Sequence, residues 1–303
     1  MTDYLDKRVL VTGGHGFIGR PLAIRLASLG AEVVAVSRTH HPDFDGVRSV
    51  ALDLADRVAV DDLFAVFRPD IVLHLASHVV GTRTPDVVLS TYHSNLTSTI
   101  HLLMAAKAYG CERVVLTGSL EEPDPEAGSS VPSSPYAAAK AAATSYGKMF
   151  HALFGLSVVI LRVFMVYGPG QADLKKLVPY VITSLNRGET PSFSSGTRQV
   201  DWVYIDDVVQ AYELAGLVEG ADGKTIDVGS GTFASVREVV EMLFSIMEVK
   251  QPPTFGGAPD RMMEQVRLAN VEESGRILGW TPHISLQEGL LLAAQSYSKE
   301  AVR

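Results

Sequence analysis

Three glycines, each separated from the next by two residues, stand between a β-branched run and an amphipathic stretch: Gly13, Gly16 and Gly19. No other feature narrows the fold as much. Arg8-Val-Leu-Val-Thr12 reads as a buried strand, and Arg20–Leu29 as the helix after the turn. Gly13 predicts a backbone conformation closed to other residues. Gly16 predicts close approach of the main chain to a pyrophosphate, and Gly19 tight packing of helix on strand. The helix start, at Phe17 and Ile18, offers free N–H groups and a positive dipole end to phosphates. A tight turn can require glycine for structural reasons alone, so the strand–turn–helix context carries the reading as a dinucleotide site.

Strand-like and helical segments then alternate. Arg8–Thr12, Glu32–Ser37, Arg48–Leu52, Ile71–Leu75, Arg113–Thr117 and Ser157–Val163 read as buried strands. Arg20–Leu29, Val58–Phe67, Val87–Tyr109 and Tyr136–Leu153 read as helices. Such alternation predicts an α/β fold, a doubly wound, Rossmann-type parallel sheet with helices on both faces and its ligand edge at the strands' carboxyl ends. Past Tyr167 the regularity loosens around Gly168-Pro-Gly170, Arg187-Gly-Glu-Thr-Pro191 and Pro252-Pro-Thr-Phe-Gly-Gly257, with helices near Leu174–Asn186, Asp206–Val218, Ser235–Met247 and Ser285–Ser298. The expected division is a dinucleotide-binding domain over 1–166 and a smaller mixed α/β substrate lobe over 167–303, partly interleaved with the first.

Composition removes several function classes. A net charge of −8 without a basic run argues against nucleic acid. One cysteine, Cys111, excludes an intrachain disulfide and makes a thiolate cluster implausible. The longest apolar stretch, Leu156 to Gly168, is broken by Arg162 and is too short for a membrane span; with no leader pattern, a cytoplasmic protein is expected. No metal is expected either. His74 and His78 straddle a strand end without a carboxylate–histidine helix motif, His40-His41 reads as solvated loop, and no serine elbow points to a hydrolase.

The second strand bears on cofactor choice. It ends Val36-Ser37-Arg38-Thr39, with no carboxylate to bind a ribose 2′-hydroxyl. Arg38 suits the 2′-phosphate of NADP, although a solvated loop arginine would look the same. NADP(H) is therefore favoured, with NAD(H) possible. Asp53 and Leu54, after the third strand, are expected at the adenine. Leu75, Ala76 and Ser77, after the fourth, are expected beneath the cofactor.

Tyr136 and Lys140 stand four apart in Ser133-Ser-Pro-Tyr-Ala-Ala-Ala-Lys140, where Ser134 and Pro135 predict a helix start. Phenol and ammonium then share one face. The ammonium is expected to lower the phenol pKa and make the pair a proton donor near neutral pH. A surface Tyr–Lys pair is the plainer reading of the same spacing.

Taken in order, Thr12-Gly-Gly-His-Gly-Phe-Ile-Gly19, Asp53-Leu54, His74-Leu-Ala76, Thr117-Gly-Ser119 and Tyr136-Ala-Ala-Ala-Lys140 resemble the extended short-chain dehydrogenase/reductase family. Leu161-Arg-Val-Phe-Met-Val-Tyr-Gly-Pro-Gly170, Asp201-Trp-Val-Tyr-Ile-Asp-Asp-Val208 and Leu278-Gly-Trp-Thr-Pro282 extend the likeness over nearly the whole chain. The members it most resembles are the NAD-dependent epimerases and dehydratases of nucleotide sugars. The resemblance implies Tyr136 as catalytic acid/base, Lys140 on the nicotinamide ribose and Ser119 on the reacting oxygen. It adds Thr117 and Val163 to the cofactor surface, with Asn95 as a helix asparagine whose plain surface role is equally open. Dimerisation through Val87–Tyr109 and Tyr136–Leu153 is common among such proteins, so a homodimer is expected.

Departures narrow the expected chemistry. The 4,6-dehydratases of the family follow the catalytic hydroxyl with Asp-Glu, whereas Ser119 is followed by Leu120, Glu121 and Glu122. Gly118-Ser-Leu-Glu-Glu122 is more similar to nucleotide 4-keto-6-deoxysugar reductases, which use NADPH. The leading expectation is therefore a 4-ketoreductase with Glu121 as a further catalytic candidate, equally readable as a solvated loop carboxylate. An epimerase or dehydratase with retained NAD is the alternative, and a dinucleotide sensor without turnover the non-enzyme reading. For the nucleotide sugar, Met165 replaces a frequent asparagine, and Lys175, Lys176, Arg198 and Arg261 are pyrophosphate candidates, each also readable as a surface charge. Arg261 leads, because the family carries an arginine ahead of a short strand such as Leu268-Ala-Asn270.

Overall fold

β-Branched runs that bury both faces pair in parallel, and helices cover them. The computed structural model describes residues 3–124, 128, 131–260 and 265–297. In chain order the first half runs β1 (Arg8–Thr12), α1 (Gly19–Ser28), β2 (Glu32–Ser37), β3 (Val47–Ala51), α2 (Arg57–Phe67) and β4 (Ile71–His74). It continues with α3 (Val88–Thr91), α4 (Ser98–Ala108), β5 (Arg113–Ser119), α5 (Pro135–Phe154) and β6 (Val158–Val163). Next come β7 (Met165–Tyr167), α6 (Leu177–Asn186), β8 (Gln199–Tyr204), α7 (Ile205–Ala215), β9 (Thr225–Val228) and β10 (Phe233–Ser235). The helices α8 (Val236–Ile246), α9 (Val271–Leu278) and α10 (Leu286–Ser296) end the order.

Two compact units divide the chain. One comprises Met1–Val163, Val209–Asp227 and Glu273–Trp280; the other comprises Phe164–Val208, Val228–Glu272 and Thr281–Arg303. The first carries a sheet in the order β3-β2-β1-β4-β5-β6-β9. β1 pairs in parallel with β2 on one side and β4 on the other, so the order reverses between β1 and β4. That reversal opens a crevice at the strands' carboxyl ends, where dinucleotides bind in such sheets. Leu10, Val34, Phe64, Val72, Leu102 and Val114 form the core of one face.

Local sequence explains the elements that matter to the site. Ser134 Oγ accepts the Ala137 N–H at 3.1 Å, Pro135 opens α5, and Gly155 at φ 66° closes it. Gly147 lets α5 lie against β5: a Cβ there would come within 2.6 Å of Leu116 Cδ1. The stretch Val87–Tyr109, expected as one helix, is interrupted. A 3₁₀ turn at Pro85–Val87 leads into α3, then a π turn over Tyr92–Thr97 precedes α4. Ser98 and Thr99 hydroxyls donate back to the Ser94 and Asn95 carbonyls, both at 2.7 Å, which supplies those carbonyls within the wider turn.

The second unit holds the short sheet β10-β8-β7, with β7 parallel and β10 antiparallel to β8. Asp201, buried in β8, accepts from Ser230 N at 2.5 Å, Gly231 N at 3.0 Å and Ala269 N at 3.0 Å. Leu268–Asn270, expected as a short strand, forms none. The Ala269 amide is given to the Asp201 carboxylate, and not to a neighbouring strand. α8 begins with a capping box of Ser235 and Glu238.

Candidate active site

The glycine turn has no room for side chains. Gly13 adopts φ 67°, and a Cβ on it would sit 2.9 Å from Ala76 N. At Gly14 it would meet Ala35 Cβ at 2.5 Å, and at Gly19 the Gly13 carbonyl oxygen at 2.1 Å. The tightness expected of Gly19 against the strand is thus tightness against the turn itself. α1 starts without a side-chain cap and without an acid in its first turn, which leaves its N–H groups and positive end for an anion. Beside the turn lies a cavity of about 280 Å³, lined among others by Ser37, Arg38, Asp53, Leu54, Ala76 and Ser77. These residues fit a dinucleotide: a side-chain-free phosphate cradle adjoining an adenosine-sized hollow. Arg38 is exposed at its rim.

On the same sheet edge a line of hydroxyls converges. Ser119 ends β5, where the sequence suggested a position just beyond it. Its Oγ accepts the Glu121 N–H at 3.2 Å, leaving the Ser119 proton free to be given away. The half-buried Tyr136 phenol has the Ser119 and Ser77 hydroxyls as its neighbours, and Ser77 Oγ donates to Asn95 Oδ1 at 3.2 Å. With Glu121 N–H on the Ser119 oxygen and the Ser77 proton on Asn95, Ser119 keeps a proton to give and Ser77 an oxygen to accept one on either side of the phenol. Asn95 also accepts the His78 N–H at 2.7 Å and donates to the His78 carbonyl at 3.2 Å. It is only 2% exposed, so the surface reading of Asn95 is wrong.

Lys140 differs from expectation. Its ammonium donates to the Thr117 carbonyl at 2.9 Å, and Nζ stands 5.9 Å from the Tyr136 ring centroid. Burial pulls its pKa down to about 8, while Glu122 opposes that shift. Tyr136 moves up, to about 12, chiefly through burial and further through Glu121 and Glu122, against the Ser119 hydrogen bond. The expected lowering of the phenol does not occur in this arrangement: desolvation of phenolate dominates, and the charges that act on it are those of the two carboxylates. Thr117 donates to the His74 carbonyl at 2.7 Å and pairs with the Tyr212 hydroxyl at 2.5 Å, so its side chain faces its neighbours in the unit.

Beneath these groups lies His74, buried at the end of β4, which the sequence placed at a strand end without a role of its own. His74 Nδ1 is 2.7 Å from Thr12 Oγ1, and Nε2 is 3.0 Å from Thr99 Oγ1. Thr99 already donates to Asn95 O, so Nε2 must carry the proton and Nδ1 must accept from Thr12. Thr12 Oγ1 in turn accepts the Ala76 N–H at 3.1 Å. Burial and the Lys140 charge bring the His74 pKa down to about 3. A neutral imidazole therefore ties the end of β1, the end of β4 and the first turn of α4, where Thr99 bonds back to Asn95 in the π turn.

The two carboxylates after Ser119 sit in different surroundings. Glu121, the sequence candidate, is half-buried and accepts from Ser133 Oγ at 3.3 Å. Glu122 is the buried one, and its Oε1 accepts the Ser119 N–H at 2.7 Å. Val163 lies buried at the end of β6. In the second unit, Met165 is half-buried in β7 opposite Trp202. Lys175 is exposed and Lys176 half-buried before α6. Arg198, just before β8, donates to Gln265 O at 3.3 Å. Arg261 lies outside the described residues. No three His, Cys, Asp or Glu among the described residues come together as metal ligands, and no helix among them is long and apolar enough to cross a membrane.

The model of the NAD dependent epimerase/dehydratase family matches residues 9–229. UDP-glucose 4-epimerase of Mycolicibacterium smegmatis is 30% identical over 316 residues, which cover 97% of this chain and 99% of that protein. dTDP-glucose 4,6-dehydratase of Neisseria meningitidis serogroup B is 26% identical, over 96% of this chain and 93% of its own length. The solved UDP-glucose 4-epimerase of Thermus thermophilus in complex with NAD is 28% identical and superposes with a TM-score of 0.82, covering 95% of this chain and 98% of that one. These relatives are epimerases and a dehydratase, where the Gly-Ser-Leu-Glu-Glu string had pointed to ketoreductases. With its glycine cradle and its Ser119, Tyr136 and Lys140 intact, the chain belongs to the NAD dependent epimerase/dehydratase family.

Proposed function

We propose that this protein is a nucleotide-sugar-modifying enzyme that carries out oxidoreduction at C4 of a nucleoside-diphosphate sugar, in the manner of an epimerase that retains its cofactor through turnover. The observation that supports it is the hydroxyl line at Tyr136, flanked by buried Lys140, in a chain related over nearly its whole length to a UDP-glucose 4-epimerase. A bound nicotinamide dinucleotide would supply the hydride acceptor and donor. Everything else falls to the chain's own residues. Ser119, whose oxygen is held by an amide, gives a hydrogen bond to the sugar oxygen on which charge develops. Tyr136 exchanges the proton with that oxygen, and Lys140 supplies positive charge behind it. The dehydratase branch has less support, because buried Leu120 stands where an acid is needed.

A second reading, net reduction of a 4-keto-6-deoxysugar by NADPH, keeps two observations of its own. β2 ends without a carboxylate and with Arg38. With its pKa near 12, Tyr136 holds its proton at neutral pH and is poised as a donor. One experiment separates the readings. Purified protein is denatured to identify any released dinucleotide, then assayed with UDP-glucose alone and with a nucleotide 4-keto-6-deoxysugar plus NADPH or NADH. Released NAD and a C4 epimer formed without added nucleotide support the first reading; consumption of NADPH supports the second. In either case Tyr136→Phe should lower kcat by about 10²–10⁴-fold, and an undiminished rate would refute both.

We also propose a homodimer. The π turn, α4 and α5 leave Tyr92, Met104, Tyr146, Leu153 and Phe154 exposed, and apolar surface of that kind tends to be covered. Sedimentation equilibrium should return twice the chain mass, and Leu153→Glu with Phe154→Glu should shift it towards the monomer.

A further inference from the structure

We infer that Glu122 is a positioning residue of the proton-transfer centre: its buried carboxylate fixes the main chain of Ser119 and provides a buried negative charge that acts on Lys140. Two hydrogen bonds clamp Ser119. Glu122 Oε1 accepts the Ser119 N–H at 2.7 Å, and the Glu122 N–H is donated to the Ser119 carbonyl at 3.1 Å. The Ser119 hydroxyl oxygen is thereby left to the Glu121 N–H, and its proton faces the Tyr136 phenol.

The neighbouring residue makes room for this clamp. A Cβ on Gly118 would lie 2.8 Å from Glu122 Oε1 and 3.1 Å from Ile160 Cγ2. Glycine at 118 therefore serves the carboxylate as well as the sheet. Glu122 is 5% exposed and Lys140 4% exposed. A buried carboxylate and a buried ammonium are each unfavourable alone and offset one another when near.

The charges that act on Lys140 and Tyr136 come from a short set of groups. On Lys140 the resolved influences are burial, which lowers its pKa, and Glu122, which raises it. Tyr136 feels Glu121 and Glu122 from the loop after β5, with Ser119 and Ser77 as hydrogen-bond partners. His74 from β4 is neutral at working pH, and Tyr212 from α7 keeps its phenol proton because burial raises its pKa. Removal of the Glu122 charge therefore has one predicted direction: both Lys140 and Tyr136 titrate lower.

The centre can be probed without substrate, so failure of this inference is separable from failure of the proposed reaction. Full-length protein with ¹³C-labelled lysine is titrated by NMR, with the Lys140 resonance assigned by its loss in Lys140→Arg. Glu122→Gln keeps the size and an oxygen acceptor for the Ser119 amide but removes the charge. It should move the Lys140 midpoint down by about one unit from the wild-type value near 8. Glu122→Asp keeps the charge and withdraws the oxygen; Lys140 should titrate within a few tenths of wild type while the Ser119 amide exchanges about tenfold faster or more. A Lys140 midpoint unchanged in Glu122→Gln would overturn the electrostatic role. Unchanged Ser119 exchange in Glu122→Asp would overturn the clamp, and that variant still decides the clamp if Glu122→Gln does not fold.

Discussion

At the residue scale, steric exclusion decides more than charge. A Cβ on Gly19 would meet the Gly13 carbonyl oxygen at 2.1 Å and its carbon at 2.8 Å, and a backbone carbonyl in a tight turn has nowhere to swing. Gly19→Ala should cost about 1–3 kcal/mol of stability, as overpacking does, read as a lower urea midpoint at unchanged slope. It should also weaken dinucleotide binding, measured by quenching of intrinsic fluorescence. Gly16→Ala, whose Cβ would lie 3.0 Å from the same oxygen, should be milder in stability. Full retention of both properties in Gly19→Ala would refute the cradle. The need for glycine here was legible in the sequence, because only a turn before a helix explains three glycines at that spacing. Which atom forbids the side chain was not, since it depends on how the turn folds back on itself. The same limit explains Tyr136. Its identity and partner spacing were readable, but the direction of its pKa is set chiefly by burial, which spacing does not show.

At the scale of elements, the link from β1 through β4 to the π turn runs through one imidazole. His74 is neutral in the fold, with its pKa held near 3 by burial and by the Lys140 charge, against about 6.5 in an unfolded chain. A depressed folded pKa means that the unfolded state binds the extra proton first. The associated stability is present above pH 6.5 and is lost as pH falls towards 3. His74→Gln cannot take up that proton. Between pH 7 and pH 4 its urea midpoint should fall less than that of wild type, although it starts lower because the two threonine contacts are remade imperfectly. Parallel losses in the two proteins would remove His74 from the acid response. The strands and helices of this unit were legible from β-branched runs and caps. The π turn was not: Val87–Tyr109 carries a helical pattern throughout, and the interruption arises from Ser98 and Thr99 hydroxyls bonding back to Ser94 and Asn95 carbonyls. It follows that Asn95 could not be read as buried, although its place in a Ser/Thr-rich stretch was a usable signal.

At the scale of the whole molecule, both units bury phenols, so the alkaline limit of the fold is set by groups that the sequence lists but does not locate. Burial raises Tyr4, Tyr136 and Tyr212 in the first unit and Tyr167 in the second above the ordinary value of 10. It also raises the Cys111 thiol to about 12 from 9.0. A raised folded pKa means stability that is fully present below the unfolded value and is lost as pH climbs through the folded one. Lys140 works the other way: its pKa is lowered to about 8, so stability is gained between pH 8 and about 10.5, where the unfolded amine would still hold its proton. The two effects predict an alkaline shoulder followed by a steep loss. Stability from urea unfolding should hold or rise slightly from pH 8 to 9, then fall progressively above pH 10. Phenolate absorbance near 295 nm should rise most steeply together with the loss of far-UV circular dichroism, because the buried phenols ionise only as the fold opens. In Lys140→Met the shoulder between pH 8 and 10 should flatten while the steep loss stays in position. Phenolate absorbance that reached its full value with the fold intact would show that these phenols are not shielded, and would undo the argument for Tyr136 as a proton-bearing donor along with it.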